Sequence, residues 1–366
     1  MSRVGELWDK SLVDLLTEAV EGAVAASQLE PEEIEAVFVA NKAGGGFNQQ
    51  LHLNALASQI FAHFPPSMRV EGACASGGLA VLAAEQALLA GQYQTVLVVG
   101  VEKMTDAGTT QTTEVLAMAA DYYQEYGSTF PGLYALLAQT HIEQFGTTRQ
   151  QLSAVAQKNH SQALDNKKAQ YRREFSLEQI SNSNLVADPL RLLDCSPISD
   201  GAAAVVLTTG AGEASPKSKR TQIFGFGHGQ DSLDLASRGS LTELGATVRA
   251  AQAAFRSAGL KPEEIEAAEV HDCFTIAEIL AIEDLGFFEK GQGGPATLAG
   301  QTGWEGQVVV NPSGGLKAFG HPIGATGVKQ IAYLDKLITE GKIETGLAHN
   351  VGGSGATAVV HILGRS

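Results

Sequence analysis

The chain is poor in cysteine, aromatics, positive charge and long apolar runs. Its three cysteines, Cys74, Cys195 and Cys273, lie far apart. They offer no disulfide framework, so a reducing cytosol, and hence a cytoplasmic location, is expected. Lys and Arg number 25 against 40 Asp and Glu, a net charge of 25 − 40 = −15. That balance excludes a nucleic-acid surface and leaves any anionic ligand to a local site. No apolar run reaches bilayer length, and Met1 to Trp8 lack the apolar core of a signal sequence, so no membrane association is expected. Paired Cys-x-x-Cys and His-x-x-x-His spacings are missing, which argues against zinc and any other metal. Neither a Gly-x-x-x-x-Gly-Lys-Ser/Thr loop nor a Gly-x-Ser-x-Gly elbow occurs, so nucleotide-hydrolase and serine-hydrolase readings lose support.

What is abundant is small. With 41 glycines, plentiful alanine and only 6% aromatics, the core of these 366 residues must be built by close approach of small side chains. The chain also repeats itself. Leu29-Glu-Pro-Glu-Glu-Ile-Glu-Ala-Val37 returns as Leu260-Lys-Pro-Glu-Glu-Ile-Glu-Ala-Ala268. Each copy follows an alanine-rich helical stretch, 11–27 or 240–258, and precedes an apolar strand, 36–40 or 267–270. Cys74-Ala-Ser-Gly-Gly-Leu79 similarly matches Asn311-Pro-Ser-Gly-Gly-Leu316, with strands expected at 95–101 and 347–350. A period this long implies a duplicated α/β domain. The halves are expected at 1–210 and 221–366. Residues about 105–190, with a helix over 152–166, have no counterpart and read as an insertion covering the active site. The stretch 211–220 reads as a linker, and its Lys217, Lys219 and Arg220 as a solvated basic cluster.

Cys74 lies on a glycine-flanked turn before a helical run with Leu79, Leu82, Ala83, Gln86 and Leu89 at helical spacing. Unpaired N–H groups and the helix dipole there favour a thiolate, the setting of a nucleophile, although a buried structural cysteine fits the turn equally well. Three further segments combine reactive side chains with strand ends or helix starts. They are His271-Asp-Cys-Phe-Thr275, Lys317-Ala-Phe-Gly-His321-Pro-Ile-Gly-Ala-Thr-Gly327 and His349-Asn-Val-Gly-Gly-Ser-Gly355. If the halves pack about a pseudo-twofold, these loops converge on Cys74 and join it to a base and a second thiol. Cys195, in Leu193-Asp-Cys-Ser-Pro197, is expected outside that convergence as a structural residue.

The chain resembles the thiolase superfamily, above all the sterol carrier protein x-type and archaeal acetoacetyl-CoA-type members. The blocks carrying the likeness are Glu71-Gly-Ala-Cys-Ala-Ser-Gly-Gly78, Ser199-Asp-Gly-Ala-Ala-Ala204, His271-Asp-Cys-Phe274, Gly320-His-Pro-Ile-Gly-Ala-Thr-Gly327 and Asn350-Val-Gly-Gly-Ser-Gly355. The resemblance implies two βαβαβαββ halves in α-β-α-β-α layers, with an inserted loop domain. It makes Cys74 the acyl-accepting nucleophile, His321 its base and Cys273 the acid/base at the α-carbon. His271 with His321 would form one oxyanion hole, and the N–H groups of Cys74 and Gly352 the other. Ser313, Gly314 and Gly353 would touch substrate. Relative to the best-known members, Asn350 stands where a second catalytic cysteine is usual, and His271 replaces an asparagine. The x-type pattern predicts both, because Cys273 moves the second thiol.

The expected activity is transfer of acyl groups between CoA and 3-oxoacyl-CoA, or the reverse Claisen condensation. CoA is a co-substrate, and no other cofactor is expected. Competing readings are a decarboxylating ketoacyl synthase, which needs no second thiol, a retro-aldolase of the same fold, whose members tend to lack the nucleophilic cysteine, and a non-catalytic scaffold in a multi-enzyme CoA complex. The resemblance also implies a homodimer or homotetramer and an OB-fold, zinc-ribbon partner. Finally, the second half opens with a strand at 221–227, whereas only Met1 to Leu7 precede the first helix. The first half is therefore expected to lack most of its opening strand, leaving an apolar slot and unpaired backbone groups.

Overall fold

The computed structural model describes residues 1–209 and 221–365. The expected linker and its basic cluster lie outside the described residues. The strands are β1 (Ala36–Ala40), β2 (Ser67–Val70), β3 (Thr95–Glu102), β4 (Leu185–Ala187), β5 (Leu190–Arg191), β6 (Gly201–Thr208), β7 (Thr221–Gln230), β8 (Ala267–Glu269), β9 (Val309–Val310), β10 (Thr345–Gly352) and β11 (Thr357–Arg365). The helices are α1 (Leu12–Ser27), α2 (Gly44–Phe47), α3 (Leu53–Ser58), α4 (Ser76–Leu89), α5 (Thr109–Ala117), α6 (Phe130–Phe145), α7 (Arg149–Gln162), α8 (Leu177–Ser181), α9 (Gly245–Ala258), α10 (Thr275–Asp284), α11 (Gly293–Leu298), α12 (Gly315–Phe319) and α13 (Ile323–Thr339).

Local chemistry sets the matching starts of the two halves. Ser11 and Asp14 form a reciprocal capping box on α1. The repeated Pro-Glu-Glu becomes a 3-10 turn twice, at Pro31–Glu33 and Pro262–Glu264, each delivering the chain into an apolar strand. The first sheet runs β2-β1-β3-β6 and the second β9-β8-β10-β11-β7. In each, the first three strands are parallel and the next is antiparallel, so β1, β2, β3 and β6 correspond to β8, β9, β10 and β11.

Helices α4 and α13 lie between the sheets. Their apolar residues join Phe38, Val96, Ala203 and Ala348 from both sheets in one core. A second core packs α1 and α3 on the outer face of the first sheet, and a third packs α9 and α10 on that of the second. The result is the α-β-α-β-α thiolase fold. The 105–190 segment forms α5 to α8, and α6 and α7 pack against Cys273, Phe274 and α10.

Several details depart from expectation. Helix α4 takes up the run from Leu79 to Leu89 as expected, but Leu89 at its end is 75% exposed, while Ala80, Val81, Leu82, Ala84 and Leu88 are buried. Helix α9 starts at Gly245 rather than near 240, and α7 spans Arg149–Gln162. Residues Asn311–Leu316 lead into the short α12, so the spatial counterpart of the Cys74 turn is Gly320-His321-Pro322, at the head of α13.

Nothing among the described residues corresponds to β7 in the first sheet. Met1 to Leu7 contribute one isolated bridge, Gly5 to Asp200, and a Ser2 N–H···O=C Ala202 bond of 2.8 Å. Val4 and Met1 pack on Phe319 and Ala318 of α12.

Candidate active site

The site forms where the heads of α4 and α13 meet. A Cβ on Gly77 would lie 2.6 Å from the Gly327 nitrogen, and one on Gly327 would lie 2.3 Å from the Gly78 nitrogen. Only glycine on both helices permits that approach. It draws the turn before α4, with Cys74, against the turn before α13, with His321.

Buried carboxylates and hydroxyls hold these turns. Glu102, fully buried at the end of β3, accepts from the Asn41 amide, the Lys42 and Ala43 N–H groups and the Gly324 N–H in the first turn of α13, all at 2.9–3.0 Å. Asp200 accepts from Lys103 Nζ and from the Met104 and Thr105 N–H groups. Its neighbour Ser199 accepts from the His321 N–H at 3.0 Å. Asp272 accepts from the Leu316 and Lys317 N–H groups at the head of α12, and its burial beside Glu278 pushes its pKa up to about 7.

Cys74 Sγ and one ligating nitrogen each of His271 and His321 all lie within 4.8 Å of one another. The two imidazoles meet edge to face, centroids 5.0 Å apart. Their outer nitrogens differ in partner. His321 Nδ1 is 2.7 Å from Thr326 Oγ1, whose own hydroxyl reaches the Pro322 carbonyl at 3.1 Å. With the hydroxyl proton on that carbonyl, Oγ1 accepts from His321 Nδ1–H. Nε2 of His321 then keeps its lone pair, and it has no hydrogen-bond partner. His271 Nδ1 faces the Asn350 amide nitrogen at 3.2 Å, while the Asn350 oxygen accepts from Gly78 N–H at 2.9 Å. Burial holds both histidines below their ordinary pKa, His321 at about 3, so both are neutral. One imidazole therefore presents a lone pair to the cleft and the other an N–H.

By distance alone, Cys74, His271 and His321 could hold a thiophilic metal ion. The proton on His271 Nε2 argues against it, because a metal ligand nitrogen must offer a lone pair.

The expected thiolate preference of Cys74 does not appear. Burial pushes its pKa up to about 11, outweighing Lys42 and the Gly353 N–H, which both favour the charged form. The thiol is thus protonated at neutral pH and needs a base. Cys273 is buried, and burial raises its pKa well above the ordinary thiol value. Tyr134 of α6 shares a core with Cys273, and its hydroxyl donates to the Gly353 carbonyl at 3.2 Å. The insertion thus reaches the reactive centre, a contribution that nothing in its sequence singled out.

The structure brings Cys74, His271, Cys273, His321 and Gly353 together. Gly352 sits at the same turn, where a Cβ would lie 2.6 Å from the Gly72 carbonyl. It does not bring Ser313 or Gly314 there. The Ser313 N–H and hydroxyl are both taken by Glu269, with Lys329 Nζ on the same hydroxyl. Gly314 lies under Ala163, which caps the C-terminal end of α7. His349 also points away: neighbours on a strand face opposite sides, so Asn350 enters the cleft while His349 bonds Thr247 of α9. Cys195 is nearer than expected, since it bridges Phe274 and the Ser196 N–H donates to the Cys273 carbonyl at 2.9 Å.

Residues 1–211 match the family described as "Thiolase, N-terminal domain", and 227–365 that described as "Thiolase C-terminal domain-like". The chain is similar to an acetyl-CoA acetyltransferase of Methanothermobacter thermautotrophicus, with 45% identity covering 100% of this chain and 97% of that one. Bovine sterol carrier protein 2 is 30% identical over 94% of this chain and 67% of its own length. Among solved structures, an "Ltp2-ChsH2(DUF35) aldolase" superposes with a TM-score of 0.86 at 24% identity, covering 100% of this chain and 95% of that one. Human mitochondrial 3-ketoacyl-CoA thiolase does so with 0.77 at 18%, covering 100% and 96%. Those two identities speak to fold alone. Both family matches, the full-length relative and the meeting of two glycine-locked halves over one cysteine lead to the same conclusion: this chain belongs to the thiolase family.

Proposed function

We propose that the protein moves acyl groups between CoA thioesters through an acyl-enzyme on Cys74, by thiolysis of a 3-oxoacyl-CoA or by the reverse condensation. The observation that carries this is the unpartnered His321 Nε2 beside a protonated Cys74. His321 takes the Cys74 proton as sulfur attacks the 3-oxo carbon. The bond between C2 and C3 then breaks, leaving the acyl group on sulfur and an acetyl-CoA enolate, which Cys273 protonates at C2. The CoA thiol next gives its proton to the Cys273 thiolate and attacks the thioester on Cys74, and His321 returns its proton to the departing Cys74 sulfur as the shortened acyl-CoA is released. Atoms and charge balance, and splitting the reaction gives ping-pong kinetics.

His271 Nε2–H and His321 would hold the enolate oxygen, and the N–H groups of Cys74 and the Gly352–Gly353 turn the oxygen at the acyl carbon. A cleft of about 450 Å³, lined by Lys42, Glu71, Ala73, Val115, Met118 and Leu233, opens beside the nucleophile turn and suits a thioester chain. We further infer a cytoplasmic homodimer or homotetramer. A small OB-fold, zinc-ribbon partner is in keeping with the two-component name of the aldolase neighbour.

The test is mass spectrometry after mixing with acetyl-CoA and longer acyl-CoAs. Cys74 should gain the acyl mass, and Cys74→Ala should gain none and lose thiolysis. Cys273→Ala should still load acyl groups yet form no carbon–carbon bond. Adducts persisting on Cys74→Ala would overturn the acyl-enzyme. Acyl loading absent from a folded Cys273→Ala variant would overturn the separation of roles.

A further inference from the structure

We propose that Asn350 is a positioning residue that fixes the tautomer of His271, keeping its proton on Nε2 as an oxyanion donor and thereby barring thiophilic cations from the Cys74–His271–His321 cluster. The inference rests on the oxyanion role assigned to His271 above. It starts from an amide whose orientation leaves no freedom. The Gly78 N–H, inside the first turn of α4, needs an acceptor and finds the Asn350 oxygen at 2.9 Å. The Asn350 nitrogen is thereby turned toward His271 Nδ1 at 3.2 Å. An amide nitrogen only donates, so Nδ1 must be the lone-pair nitrogen, and in a neutral ring the proton must sit on Nε2.

The placement is two-sided. Asn350 lies on β10 of the second half, and its oxygen partner on the first half's nucleophile helix. The amide is 2% exposed, with Gly327 packed against its oxygen, so it cannot rotate without a clash or an orphaned Gly78 N–H. The same amide that couples the halves thus sets what His271 offers the cleft. A cysteine and two histidines this close would otherwise form a three-ligand site for Zn²⁺. Binding it in the wild type needs the opposite His271 tautomer, which sets N–H against N–H at Asn350.

The experiment is ¹⁵N-histidine NMR on the intact protein, with Zn²⁺ inhibition measured alongside. In the wild type, His271 should show a bare Nδ1 and a protonated Nε2, and His321 the reverse. Asn350→Asp keeps an acceptor for Gly78 N–H and should place a proton on His271 Nδ1. Asn350→Ala should give mixed tautomers, lower kcat about tenfold or more with little change in KM, and tighten Zn²⁺ inhibition about tenfold or more. A wild-type His271 protonated on Nδ1 would overturn the proposal. So would unchanged spectra and Zn²⁺ sensitivity in both variants, with thermal unfolding confirming that they are folded. If the tautomers are as stated but His271→Ala keeps full turnover, the oxyanion role fails and the tautomer lock stands.

Discussion

The two halves place equivalent turns at the heads of equivalent helices, yet give them different chemistry. The turn before α4 carries a thiol whose pKa is raised to about 11; the turn before α13 carries an imidazole lowered to about 3. In the proposed mechanism the first half supplies the nucleophile, and the second supplies His271, Cys273, His321 and Asn350, the groups that handle protons and the oxyanion. A duplicated fold has divided nucleophile from acid–base work, and the glycine contact between α4 and α13 reunites them. Neither turn is reactive alone: the thiol lacks charge and the imidazole lacks a proton.

The sharpest way to break this comparison is to remove the second half's contribution while leaving the first intact. His321→Ala should lower turnover about a hundred- to a thousandfold or more. It should also slow alkylation of Cys74 by iodoacetamide, whereas His271→Ala should lower turnover and leave alkylation nearly unchanged. In the wild type, the alkylation rate should climb steadily from about pH 7 to 9, because the Cys74 pKa lies near 11 and a neutral His321 cannot hold the thiolate as an ion pair. A plateau below pH 7 would show a pre-formed thiolate–imidazolium pair and end the contrast.

A second comparison sets one glycine against another. Gly77→Ala places a methyl against the Gly327 backbone and should cost about 1–3 kcal/mol or more, with activity falling as the helix heads separate. Gly22→Ala, on α1 with open space around it, should be neutral or stabilising by up to about 1 kcal/mol. Denaturant unfolding of both variants decides this, and equal effects would show that the contact between α4 and α13 is not what holds the site together. The smallest expected effect belongs to Cys195→Ala. Cys195 faces the Arg191 carbonyl at 3.3 Å, and burial raises its pKa to about 12. Turnover should stay within about a few-fold, since a half-buried thiol with a raised pKa is inert and acts by packing. A collapse of turnover without loss of stability would give it a role through the paired Phe274.

Much of this was legible in residues. The repeated Pro-Glu-Glu turns announced duplicated strands, and both β1 and β8 followed them. The glycine-flanked cysteine and the Gly-His-Pro run each fell at a helix head, where glycine allows the sharp turn and the close approach of the two helices. The Asn311–Leu316 match rests on short-range pattern, and long-range packing makes Gly320-His321-Pro322 the counterpart of the Cys74 turn instead. Ser313 and Gly314, implied only by the resemblance, are held away from the cysteine by Glu269 and Ala163. Tyr134 carried no signal because its partners, Cys273 and Gly353, are remote in sequence. Glu102 did carry one: a carboxylate ending the apolar run Val96 to Val101 has to find several donors, and it found them in loop 41–43 and at the head of α13.

By itself, then, the sequence determined which segments become strands and helices, that the unit is doubled, and which side chains are chemically able to react. Those are matters of local backbone preference, apolar periodicity and functional-group identity. Only the tertiary structure decided what state each reactive group is in. The Cys74 thiol is protonated because burial outweighs Lys42 and the Gly353 N–H, and His321 presents its Nε2 lone pair because Thr326 takes its other nitrogen. His271 is a donor because Gly78, from the other half, turns the Asn350 amide toward it. Protonation and tautomer depend on desolvation and on partners brought together by folding, and no stretch of chain contains those on its own.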